Sequence, residues 1–64
     1  MADYKFKVLF PTTGSLSEGY VHVYANKVEV GRTGTLVFLD DRGEVLEMWA
    51  PGRWLEVHRL EKLI

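Results

Sequence analysis

Glu47, Glu56 and His58 come nearest to chemistry in this chain, because a turn at Pro51-Gly52 would fold the run that carries Glu47 back beside the run that carries the other two. If Pro51-Gly52 forms a two-residue hairpin loop, Ala50 pairs with Arg53, Trp49 with Trp54 and Glu47 with Glu56. Directly opposed residues have Cβ atoms about 4.5–5.5 Å apart. Two carboxylates at that separation split their pKa values and can share acid and base roles, as in glycoside hydrolysis. A histidine beside them would also suit a metal. Against this, proline at the first turn position favours type I or II turns, whose twist mismatches a tight hairpin. A chain of 64 residues also has little depth for a cleft that excludes water. The commoner fate of such a pair is a solvated face relieved by Arg53 or Arg59. The expectation is therefore no enzyme.

Two aromatic groups carry the alternatives. Trp49 and Trp54 flank the same turn. Such a pair is most often a core lid or a cross-strand stack; exposed, it would mark a binding surface for a protein partner. A self-complementary patch of that kind would make a homodimer. Tyr20, His22 and Tyr24 alternate with Val21 and Val23. If the valines point inward, three rings line the outside of a strand, with Lys5, Lys7, Lys27 and Arg32 as neighbouring cations. Stacking platforms for single-stranded nucleic acid are built in this way. Tyrosine is also simply a favoured strand residue, so cross-strand packing is the plainer account.

Charge lowers the nucleic-acid reading. Eight basic residues against nine acidic ones leave a formal net charge of −1, which gives no global attraction to nucleic acid or to anionic lipid. With no cysteine and two histidines, disulfides and the usual cysteine-based zinc sites are excluded, and no cofactor or metal is expected. Gly14 and Gly19 lack the Lys-Ser/Thr that completes a phosphate-binding loop. The hydroxyls of Thr12, Thr13, Ser15 and Ser17 have no histidine and carboxylate at a triad-like spacing. No apolar run approaches the ~20 residues of a membrane span, and Lys5 and Lys7 interrupt the N-terminal run that a signal peptide would need. A cytoplasmic protein is expected.

The elements that position these residues follow from turn cadence. Gly34, Gly43 and Gly52 are nine residues apart, each in a turn-like tetrapeptide between apolar runs. That is the pattern of a β-meander. The chain reads as one domain over residues 1–64, all-β, with about five strands closing into a barrel or sandwich. In strand count and turn spacing it resembles SH3-like small barrels, an architecture that hosts many functions. Tyr4, Phe6, Val8 and Phe10 alternate as a half-buried strand until Pro11. Residues 11–19 read as the longest loop. Across residues 20–30 the alternation changes phase, since Val21, Val23 and Ala25 share one parity and Val28 and Val30 the other. A bulge or a tight turn at Ala25-Asn26-Lys27 must intervene, and asparagine tolerates the left-handed conformation. Residues 35–39 are apolar on both faces and read as a central strand. The expected core is Phe6, Val8, Val21, Val23, Leu36, Phe38, Leu46, Met48, Leu55 and Val57. At the C-terminus Trp54, Val57, Leu60 and Ile64 also fit helical spacing, so the reading is strand to about Arg59 and then a short helical turn.

At this length a folded chain buries only about 60% of the surface it exposes when unfolded, and this one has no disulfide staple. An efficient aromatic core or self-association would have to compensate. The leading expectation is a non-enzymatic protein-interaction module, homo-oligomeric in its simplest form. The alternative is a small barrel that binds single-stranded nucleic acid or RNA.

Overall fold

The structure, a computed structural model, describes residues 2–12 and 19–63. Its strands are β1 (Tyr4–Phe10), β2 (Gly19–Ala25), β3 (Lys27–Val30), β4 (Leu36–Leu39), β5 (Val45–Trp49) and β6 (Glu56–Lys62). They form two antiparallel three-stranded sheets, ordered β2-β1-β6 and β3-β4-β5. There is no helix among the described residues, and the two sheets do not join into a closed barrel. Most of the expected loop, residues 13–18, lies outside the described residues.

Six strands replace the expected five because the phase change in residues 20–30 is a break between two sheets. Ala25 is fully buried at the end of β2, where it pairs with Tyr4. Asn26 then bends the chain and donates its amide to the Leu39 carbonyl at 2.9 Å, which starts the second sheet. No non-glycine residue among those described has a positive φ, so the bend does not use the left-handed conformation that asparagine makes available.

Two hairpins of one design follow. In each, the amide of a glycine donates to the carbonyl three residues back: Gly34 to Gly31 at 3.0 Å and Gly43 to Asp40 at 3.1 Å. The pairing then resumes one residue later, from Gly31 to Thr35 and from Asp40 to Glu44. Gly34 and Gly43 have φ of 91° and 80°, the left-handed position that a three-residue hairpin loop reserves for glycine. The third glycine closes a different turn. Arg53 donates to Ala50 at 3.0 Å, with Pro51 second and Gly52 third at φ 82°, as in a type II turn.

That turn does not make a hairpin. It passes the chain from β5 in the second sheet to β6 in the first, so the pairing expected across Pro51-Gly52 is not formed. Leu55 donates to the Leu9 carbonyl, and β6 runs beside β1 as far as Lys62 opposite Tyr4. Residues 60–62 are strand, and the helical turn expected there is absent. Ile64 lies outside the described residues.

The core forms where the sheets face each other. Phe6, Val8, Ala25, Leu36 and Phe38 are buried, with Tyr4, Val23, Val28, Trp49, Trp54 and Val57 packed against them. Phe6, Val8, Leu36 and Phe38 were expected inside, and β4 is central as expected. Leu46, Met48 and Leu55 were also expected inside and are exposed, as is Val21 to a smaller degree. The cause in β5 is register. Trp49 stands opposite Leu36 and takes the inward position, which turns Met48 outward opposite Val37. A bulge then sets Val45, rather than Leu46, opposite Leu39. Leu55 precedes β6 in the crossing segment, where alternation no longer decides its face. The resulting interior is thin. The radius of gyration is 12.1 Å, with extents of 38 × 25 × 13 Å, against about 11 Å for a compact chain of this length.

Candidate functional site

The carboxylate pair is separated by the topology. Glu47 stands on β5 opposite Phe38, and Glu56 on β6 opposite Leu9. Each carboxylate has a local partner instead. Glu47 Oε2 accepts from the Trp49 indole at 2.9 Å, and Glu56 Oε1 lies 3.2 Å from His58 Nε2. Among the described residues, no three histidines, aspartates or glutamates form a group that could hold a metal.

The tryptophans also part company. Trp49 is half-buried and sits over Phe10, with ring centroids 5.8 Å apart and planes 30° apart. Trp54 is half-buried and donates its indole N–H to the Gly34 carbonyl at 2.8 Å, which ties the crossing segment to the β3–β4 hairpin. Both rings pack on the core. They are not cross-strand partners in a hairpin, because β5 and β6 belong to different sheets.

Tyr20, His22 and Tyr24 are brought together. All three are exposed on β2, on the face away from Val23 and the buried Ala25. The register sets Leu9 beside Tyr20, Lys7 beside His22 and Lys5 beside Tyr24. Tyr20 and His22 have ring centroids 5.5 Å apart, and the Lys7 ammonium lies 4.6 Å from the centre of the Tyr20 ring. Beyond β1, the same face continues into His58 beside Lys7, Glu56 beside Leu9 and Glu61 beside Lys5. Lys27 is drawn elsewhere, to Glu29 at 2.9 Å on β3.

A second surface lies on β5, where Leu46 and Met48 are exposed and not in the core. Val45, Leu46 and Met48 are each more than half exposed. Val45 and Met48 neighbour Leu39 and Val37 on the outward face of the second sheet, where the bordering strand β3 contributes the Lys27–Glu29 ion pair. The other edge of β5 has no strand partner among the described elements. The apolarity of both faces of β4 was the signal in the sequence. It reflects one face in the core and one beside this strip on the outward face.

The grooves of the surface are open. One of about 450 Å³ at the end of the two sheets is lined by Tyr4, Phe6, Asn26, Lys27, Val28 and Arg59. The Arg59 guanidinium lies 5.0 Å from the centre of the Tyr4 ring. Among the described residues no helix is long and apolar enough to cross a membrane. Comparison with protein-family models, with curated proteins and with solved structures finds no match.

Proposed function

We propose that the chain is a cytoplasmic, non-enzymatic interaction module whose β5 edge receives a second copy of itself. The observation that carries this reading is the strip of Val45, Leu46 and Met48, more than half exposed on a strand with an unpaired edge. Natural edge strands are usually guarded by lysine, proline or an inward charge. The sequence VLEMW has neither lysine nor proline; its one charge, Glu47, shares the sheet face of Phe38 and is held by the Trp49 indole.

Antiparallel pairing of β5 with its symmetry mate would extend each three-stranded sheet into a six-stranded one and cover Met48 and Val45 with their counterparts. Such an interface is closed and self-complementary. It would also supplement an interior in which only five of the described side chains are buried. The chain passes from one sheet to the other at Asn26, between β2 and β3, as strands do at the corners of small barrels, and we read the arrangement as SH3-like but opened along one side.

Sedimentation equilibrium tests the reading. The expected result is a dimer that Met48→Glu converts to a folded monomer. A wild-type chain that stays monomeric at high concentration overturns self-association through β5.

A further inference from the structure

We infer that the outward face of the first sheet binds single-stranded nucleic acid, with bases on Tyr20, His22 and Tyr24 and phosphates along Lys5 and Lys7. This surface belongs to the other sheet and does not depend on the β5 interface. Three observations converge on it. The rings are exposed and share one face of one strand. They cover no core residue, so burial does not explain their presence. Lysines stand beside them in register on β1, and the Lys7 ammonium already lies 4.6 Å from the Tyr20 ring centre.

Geometry selects a single strand. The Tyr20 and His22 rings have centroids 5.5 Å apart and are tilted by 50°, so they present separate faces and not one parallel stack. Bases must therefore be splayed to meet the rings one by one, which an unpaired strand permits and a duplex does not. Aromatic faces accept any base, so the site would tolerate many sequences. The acidic groups of this face, Glu56 and Glu61, stand on β6 with β1 between them and the rings. Glu56 is further occupied by His58 at 3.2 Å. The chain's net charge of −1 therefore does not describe the field at β2, where the nearest cross-strand charges are the two lysines.

Fluorescence anisotropy with short labelled oligouridine and oligothymidine tests the inference on the intact chain. Binding is expected at low salt, and two phosphate contacts predict a slope of log affinity on log salt of about −1.4. Tyr20→Ser and Tyr24→Ser should each weaken binding about tenfold, with an unchanged circular dichroism spectrum because the rings are exposed. Tighter binding of the uridine strand would assign RNA, and equal binding would assign single strands of either sugar. Absence of binding at low salt overturns the inference. So does equal affinity for a duplex, full binding by the folded double tyrosine variant, or equal displacement by polyglutamate, which would mark an acidic-peptide site. Met48→Glu serves as the control, since it breaks the β5 interface and should leave oligonucleotide affinity unchanged.

Discussion

Phe6 of β1 and Phe38 of β4 meet between the two sheets with ring centroids 5.5 Å apart and planes 57° apart. Each is buried, and the pair joins the first sheet to the second within the common core.

Truncating one ring should therefore separate the layers. Burying a phenylalanine and then removing it costs about 3–5 kcal/mol, against a total stability of about 3–10 kcal/mol for a chain of this size. We expect Phe38→Ala to unfold a large share of the molecules at 25 °C. Phe38→Leu should keep the fold with a lower urea midpoint, because it refills much of the volume. Circular dichroism during urea unfolding measures both. A Phe38→Ala midpoint equal to that of the wild type would place the core elsewhere.

Trp54 makes a second tie, from the crossing segment to the Gly34 carbonyl at 2.8 Å. Trp54→Phe retains much of the ring packing and removes the donor. Its expected cost is about 0.5–1.5 kcal/mol, the net worth of one hydrogen bond. Trp54→Ala should cost more, since the half-buried ring also packs on the core. Comparing the two in urea separates the hydrogen bond from the packing, and equal losses would show that the ring's contacts contribute nothing.

How far this arrangement is legible in the sequence differs from strand to strand. Phe6, Val8, Leu36 and Phe38 were legible because β1 and β4 are central and their alternation or apolarity survives intact. The nine-residue glycine cadence marked all three turns, yet only two of them make hairpins. Pro51-Gly52 looked like the other two, and nothing local reveals that the strand after it belongs to a different sheet. That non-local fact scattered Glu47 from Glu56 and Trp49 from Trp54. In β5 the inward place went to Trp49, whose indole can meet Glu47 at the rim, so Met48 was displaced by a larger neighbour. The Tyr20, His22 and Tyr24 stripe was legible because one parity rule sufficed.

Acid should weaken the β4–β5 hairpin through Asp40. Its Oδ1 accepts from the amides of Glu44 and Arg42, both at 2.9 Å. These two bonds, Glu44 first, hold its pKa below the ordinary 3.8. A carboxylate with a lowered folded pKa contributes stability that is complete above the unfolded value and is lost as pH falls through the folded one. Asp40→Asn keeps a neutral acceptor. The stability difference between wild type and Asp40→Asn should thus be constant near neutrality and shrink below about pH 4. Urea midpoints across pH 2–7 check this, and a difference independent of pH would remove Asp40 as the cause.

Gly19 should control the environment of Trp49 through the ring of Phe10. It opens β2 directly opposite Phe10. A Cβ there would lie 2.5 Å from Phe10 Cε1, 2.7 Å from Cζ and 2.9 Å from Thr12 Cγ2. All three are side-chain atoms, so the backbone can stay while the Phe10 ring turns away. That ring covers Trp49 at 5.8 Å, and its displacement uncovers the indole. Gly19→Ala should lose about 1–3 kcal/mol, as overpacking does. It should also shift the emission of Trp49 to the red and raise its quenching by iodide. Placing it in the Trp54→Phe background leaves Trp49 as the sole tryptophan, so the signal has one source. Unchanged emission and quenching in that background would mean that Phe10 makes room for the methyl group without leaving the indole, and the proposed coupling of Gly19 to Trp49 would fall.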